Sequence, residues 1–239
     1  MKRIAKQEIE VKLRVTDPAA MRRLLVRLCA RVLRRVHEMN TLFDTPRGTL
    51  RKRGRLLRLR VETPLAGPRR AQYVLTLKGP SRPKRGKQGA QAESLCYPRA
   101  RYKVRSEMET VLPHPQPILA VLELLGLRPT FRYEKIRTSF HSSTAPGVHL
   151  ELDETPAGVF LELEGPRRSI DRLARQLGYG PAGYITKSYL VLHFEECRRR
   201  GVRAGDMVFG AGKVVPGFPT ESAGTQKTRK RAATGAVKK

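Results

Sequence analysis

Gln7–Val15 reads QEIEVKLRV, and this stretch decides how the rest of the chain is read. Successive side chains of a strand point to opposite faces, so residues two apart share one face. Glu8, Glu10 and Lys12 therefore fall together, with Ile9, Val11 and Leu13 behind them. The same beat returns along the chain. Arg58 and Arg60 alternate with Leu57, Leu59 and Val61; Glu107 and Glu109, Lys135 and Arg137, and Glu162 and Glu164 each lie two apart. One polar face is ordinary for an antiparallel sheet in water. Acids and bases sorted onto different strands point further, to a polyanion held by cations, with carboxylates available for metal.

The segments between these runs supply helices. In residues 17–36, Asp17 is a candidate N-cap and Pro18 suits the first helical position. Met21, Leu24, Leu25, Leu28 and Val32 then recur at helical spacing, which predicts a buried stripe. Further strands are expected at 39–46, 56–61, 72–79, 102–112, 131–140, 148–153 and 159–164. Helices are expected at 115–126, at 168–178 with Ser169 as cap, and from Tyr184 to about Cys197. The fold class is α+β: about eight strands in an antiparallel sheet able to close into a barrel. With charged faces inward, the lumen is charged and the helices pack outside. Burying so much charge is costly unless it is paired, hydrated or metal-bound.

Length and composition set the remaining bounds. Of 239 residues, Lys and Arg number 49 against 21 Asp and Glu, a formal charge of +28. That excess favours anionic partners and leaves the fold undetermined. Domain organisation is read as 1–197 for the barrel domain, with a basic flexible loop at about 80–101, and 198–239 as a basic disordered tail. The tail is a candidate for non-specific, salt-sensitive contact with nucleic acid. Cys29, Cys96 and Cys197 stand far apart, which gives neither a zinc knuckle nor a disulfide framework. No signal peptide or membrane span is evident, so a cytoplasmic location is expected.

Phosphate chains suit a lumen of this kind. Arginine forks and lysine point charges bind phosphate oxygens, and Mg2+ or Mn2+ prefers carboxylate oxygens. Lys12, Arg58, Arg60, Lys78, Lys135 and Arg137 are thus the candidate phosphate-binding and catalytic residues. The pool of metal ligands is Glu8, Glu10, Glu107, Glu109, Asp153, Glu162 and Glu164.

Several of these segments also resemble a known family. The E-x-E-x-K of Glu8, Glu10 and Lys12 is similar to the opening signature of the CYTH superfamily, the triphosphate tunnel metalloenzymes. LFDTPRGTLRKRGRLLRLR (42–60), YVLTLKGP (73–80), RSEMET (105–110), YEKIRT (133–138) and LELDETPAGVFLELEG (150–165) resemble further family elements in the family's order. The likeness spans roughly residues 3–195. It implies an eight-stranded tunnel, a divalent-metal requirement and a triphosphate-containing substrate. Residues 179–192 resemble the family's C-terminal helix, which adds Lys187 as a further phosphate-binding candidate. The family includes class IV adenylate cyclases, thiamine triphosphatases and inorganic tripolyphosphatases. Hydrolysis of an inorganic or organic triphosphate is the leading expectation, because no adenine-reading feature stands out. A class IV cyclase making cyclic AMP and pyrophosphate from ATP is the alternative, and a non-catalytic polyphosphate- or RNA-binding module the second. A homodimer is a further expectation from the family.

Overall fold

The computed structural model describes residues 6–28, 30–68, 70–80 and 101–210. Most of the loop expected at 80–101, and residues 211–239 of the tail, lie outside the described residues. Eight strands form a closed antiparallel barrel: β1 (Lys6–Val15), β2 (Ala30–Asp44), β3 (Leu56–Pro64), β4 (Gln72–Lys78), β5 (Lys103–Leu112), β6 (Arg128–Ser142), β7 (His149–Thr155) and β8 (Gly158–Glu164). Their order around the barrel is β1-β5-β4-β3-β2-β6-β7-β8, and β8 pairs back to β1. The helices are α1 (Pro18–Arg27), α2 (Thr49–Lys52), α3 (Gln116–Leu124), α4 (Arg167–Gln176) and α5 (Tyr189–Arg199).

The apolar faces of the strands point outward into helices, as the alternation requires. Val11 and Leu13 of β1, Leu150 and Leu152 of β7, and Leu161 and Leu163 of β8 pack with Met21 and Leu25 of α1 and with Ile170 and Leu173 of α4. Phe43, Leu57 and Leu59 gather against Leu122 of α3. These two apolar clusters therefore form an outer shell, and the charged faces are left to line the bore.

Four boundaries differ from the sequence reading. Asp17 caps α1 as expected, its carboxylate accepting from the Ala20 amide at 2.9 Å. The helix stops at Arg27, however, and Val32, placed on its buried stripe, is an exposed residue of β2. Residues 30–44 pair with β6 almost along their length, and that ladder overrides a local apolar spacing that suits a helix. For α4 the N-cap is Pro166, with Ser169 inside the first turn. The chain enters α4 through Gly165 at φ +156°, where a Cβ would stand 2.6 Å from the Gly147 carbonyl oxygen.

The last helix begins at Tyr189, capped by Ser188, later than its apolar pattern suggests. Ile185 exchanges both backbone hydrogen bonds with Lys12 at 2.9 Å, so the residues before α5 are held as a strand-like bridge. Beyond α5, Met207 bridges Tyr133 and is fully buried beside Phe131, Phe160 and Leu192. The packed body thus continues past the boundary drawn at 197. These two bridges fall where β1 has left β5 and where β6 runs past β7. They tie the segment carrying α5 to the barrel on both sides.

Candidate active site in the barrel lumen

Pairing register places the charges of neighbouring strands opposite one another. Lys12 faces Glu162 and Glu10 faces Glu164 across β1 and β8. Glu8 faces Arg105 and Glu10 faces Lys103 across β1 and β5, while Lys78 faces Glu107 across β4 and β5. Paired residues of adjacent strands share a face, so a charged face on one strand puts its partner's charges into the same lumen. The result is a cavity of about 760 Å3 lined by side chains from all eight strands and from α5.

Most of the expected residues converge there. Lys12, Arg58, Lys135 and Arg137 are buried and line the cavity, as do Arg60 and Lys78. Lys12 Nζ lies 2.9 Å from Glu10 and 3.0 Å from Glu162. Lys78 Nζ donates to Glu8 at 2.8 and 2.9 Å and reaches Glu107 at 3.1 Å. Arg58 donates to the Tyr133 hydroxyl, to Thr76 and to Glu109. Arg60 Nε lies 3.0 Å from Glu62. Glu8, Glu10, Glu107, Glu109, Glu162 and Glu164 also line the cavity.

Two expected residues sit elsewhere. Asp153 is fully buried in the wall, accepting from Lys135 at 2.9 Å, from Arg137 Nε at 2.6 Å and from the Tyr189 hydroxyl at 2.6 Å. It braces the two cations from behind. Lys187 is not among the residues lining the cavity; it donates to Glu195 of α5 at 2.7 Å.

The structure adds residues that the strand patterns concealed. Glu38 of β2 is fully buried, with Lys135 Nζ at 3.3 Å, Arg137 Nε at 3.6 Å and Arg60 at 3.8 Å. Its segment, VHEMN, offers one acid among neutral residues, so no E-x-E pair flags it. Lys103 donates to Glu10 at 2.5 Å, and Glu151 lines the cavity against Arg137. Arg105 holds the rim, donating to the carbonyls of Gly79 and Gly54. Tyr189 arrives from α5 and lies under both Lys12 and Lys135, whose Nζ atoms stand 5.1 and 5.2 Å from its ring centroid. The signal for Lys103 and Arg105 was present: both share parity with Glu107 and Glu109.

Crowding shifts the proton affinities of these groups. Burial, helped by neighbouring Glu10, pushes the Glu8 carboxyl up to about 8 despite Lys78 and Lys103. For Glu10, burial is outweighed by Lys103, Lys12 and Lys78, which hold it well below the usual carboxylate range. Burial also opposes charge on Glu38 and Glu162, and lysines and arginines again win: both are held low. Burial, with Asp153 and Glu162 nearby, drives the Tyr189 hydroxyl well up, so it stays a donor.

The acids match a hard divalent cation in kind. They offer oxygen ligands alone, and among the described residues no histidine or cysteine lines the cavity. Glu8 and Glu10 repel one another, and a cation relieves such repulsion. Among the described residues no three acidic or imidazole side chains already meet around one point, because each carboxylate reaches for a lysine or arginine. Holding an ion there means that Glu8 and Glu10 exchange some of those contacts for it.

A sequence model of the CYTH domain matches residues 6–189. The chain belongs to the CYTH family. Solved structures share the fold at low identity. A protein of Vibrio parahaemolyticus described as a candidate adenylate cyclase is 22% identical, with a TM-score of 0.60 over 78% of this chain and 97% of that one. A protein of Pyrococcus horikoshii is 20% identical, with a TM-score of 0.60 over 79% and 99% of the two chains. A candidate adenylyl cyclase of Hippeastrum, described as having a dominant triphosphatase activity, is 20% identical, with a TM-score of 0.53 over 82% and 97%. No curated protein gives a significant match. The lumen of this CYTH protein is thus placed in a family whose neighbours carry both cyclase and triphosphatase descriptions. Among the described residues no helix is long and apolar enough to cross a membrane.

Proposed function

We propose that this CYTH protein hydrolyses triphosphates with the help of Mg2+ or Mn2+. One observation carries the reading: Lys12, Arg58, Arg60, Lys78, Lys135 and Arg137, drawn from four strands, line a single cavity. In this reading they grip the phosphate chain, displacing the carboxylates that now partner them. Phosphoryl transfer depends chiefly on position and on electrostatic support for charge at the transferring group. Lys135 and Arg137, held from behind by Asp153 and Glu38, meet that need once their other carboxylate partners give way. Tyr189 anchors the brace through its hydroxyl.

Glu8, Glu10, Glu162 and Glu164 are the residues that would hold the divalent ion, which when bound neutralises phosphate oxygens. A water oxygen bonds to the terminal phosphorus as the bridging P–O bond breaks. The electron pair leaves on the shortened phosphate chain, and the water's proton passes to solvent.

The test is product analysis. Tripolyphosphate, thiamine triphosphate and ATP are each incubated with the protein in Mg2+ or Mn2+, and orthophosphate, pyrophosphate and cyclic AMP are quantified. Orthophosphate supports the hydrolase. Cyclic AMP with pyrophosphate replaces it by a cyclase, and binding without product replaces it by a polyphosphate- or RNA-binding module. Glu8→Gln and Glu10→Gln should each abolish metal-dependent turnover with the fold retained, and full activity in both refutes the ligand assignment. Retention of nucleic acid by the basic tail is tested by truncation after Gly210, which keeps the buried Met207 in place.

A further inference from the structure

We propose that the outward faces of α1 and α4 form a docking surface for the phosphate backbone of a nucleic-acid duplex, separate from the lumen. Both helices cover β1, β7 and β8 and share one apolar cluster, so their solvent faces belong to the same side of the barrel. On α4, Ile170, Leu173 and Ala174 are buried against that wall. Arg168, Arg172 and Arg175 recur at spacings of four and three residues on the opposite, exposed face. The second and third stand about 6 and 10.5 Å further along the helix axis than the first. α1 adds Arg23 and Arg27, one turn apart and both exposed.

The α4 stripe is held at a cost. Like charges one turn apart on a helix repel, and cations in the first turn oppose the helix dipole. α4 has no acid in that turn. Its one acid, Asp171, is already engaged: the carboxylate accepts from the Tyr102 hydroxyl at 2.6 Å and the Tyr184 hydroxyl at 3.0 Å, and Arg101 lies 2.9 Å away. Arginines nearby that do reach an acid pair with it, as Arg22 and Arg35 do with Glu154. Among the described residues no carboxylate pairs with Arg23, Arg27, Arg168, Arg172 or Arg175. Open guanidinium forks in a row match phosphate oxygens, which they bind bidentately.

Composition selects the form of the partner. Neither α1 nor α4 contains an aromatic residue, so unpaired bases find nothing to stack on. A duplex keeps its bases inside and presents one phosphate charge per about 1.7 Å of its axis, which a straight row of arginines can follow. Contacts to phosphates carry no sequence information, so binding should be indifferent to sequence. None of these arginines lines the cavity. A docked duplex and a triphosphate in the bore therefore occupy opposite sides of the wall, and this surface does not depend on the hydrolase reading.

Salt-dependent binding tests the surface. The full chain, basic tail included, is titrated with short DNA and RNA duplexes of one sequence by fluorescence anisotropy, from about 50 to 200 mM salt. Replacing the α4 stripe together (Arg168→Gln, Arg172→Gln and Arg175→Gln) should weaken binding by about tenfold or more at the low salt. It should also lower the slope of log affinity against log salt by about 2–3, and Arg172→Gln alone by about 1. A loss confined to the RNA or to the DNA duplex names that one as the partner and supports the proposal. A control triple, Arg128→Gln, Arg132→Gln and Arg203→Gln, removes the same charge from exposed positions elsewhere and should change the slope by less than about 1. Circular dichroism checks the fold, and the melting temperature of the α4 triple should hold or rise as repulsion along the helix is relieved. Equal losses in both triples assign binding to overall charge and overturn the proposal, as does a wild type that binds neither duplex. An α4 triple that binds duplexes as wild type does overturns it too, and weakened binding of long-chain polyphosphate in that variant would then name the other polyanion.

Discussion

Replacing Glu38 by Gln removes one buried charge and little volume. Glu38 has no exposure to solvent and faces Lys135, Arg137 and Arg60 within 3.8 Å. Breaking a buried ion pair by removing one partner costs about 3–5 kcal/mol, because the other charge is left uncompensated. Lys135 and Arg137 retain Asp153, so the low end applies, about 3 kcal/mol. For a domain of this size that lowers Tm by roughly 6–12 °C. The freed cations should also take tripolyphosphate more tightly, by about tenfold for each 1.4 kcal/mol of relief.

The pH dependence follows from the same contacts. Cations hold the folded Glu38 carboxyl below its ordinary 4.5, against the pull of burial. Such a group contributes stability that is present above 4.5 and lost as pH falls through the folded value. The gap between wild type and Glu38→Gln should be flat near neutrality and close as the solution is acidified below pH 4.5. Urea denaturation across pH, with and without tripolyphosphate, measures both effects. A variant within about 0.5 kcal/mol of wild type at pH 7, or a gap that widens in acid, refutes the reasoning.

Other outcomes follow from single contacts. Tyr189→Phe removes the donor 2.6 Å from buried Asp153 and should cost about 1.5–3 kcal/mol, read by thermal denaturation. Met207→Ala opens a hole among Phe131, Tyr133 and Leu192 and should cost about 2–5 kcal/mol; truncation after Gly201 should cost at least as much. Gly165→Ala pushes a Cβ to 2.6 Å from the Gly147 carbonyl at a φ of +156°, so a loss of about 1–3 kcal/mol is expected in chemical denaturation.

The alternation in QEIEVKLRV and its counterparts was legible because a strand's side-chain period is a local property of the backbone. It placed Glu8, Glu10, Lys12, Arg58, Arg60, Lys135 and Arg137 on the right faces, and it assigned the apolar residues to the opposite side. Asp17 and Pro18 marked the start of α1 for the same local reason. The end of that helix was not legible, since Val32 fits a helical stripe until β6 pairs with residues 30–44.

What the sequence by itself determined is which face each residue of a strand occupies, and hence that the barrel has a charged side and an apolar side. The tertiary structure alone decided which charges meet. Glu38 reaches Lys135 because β2 lies beside β6, and Asp153 is spoken for because Tyr189 descends from a helix thirty-six residues later. Lys187 is engaged instead by Glu195, eight residues on and in α5. Parity is written within two residues of chain, whereas neighbourhood depends on hydrogen bonds between strands far apart in sequence.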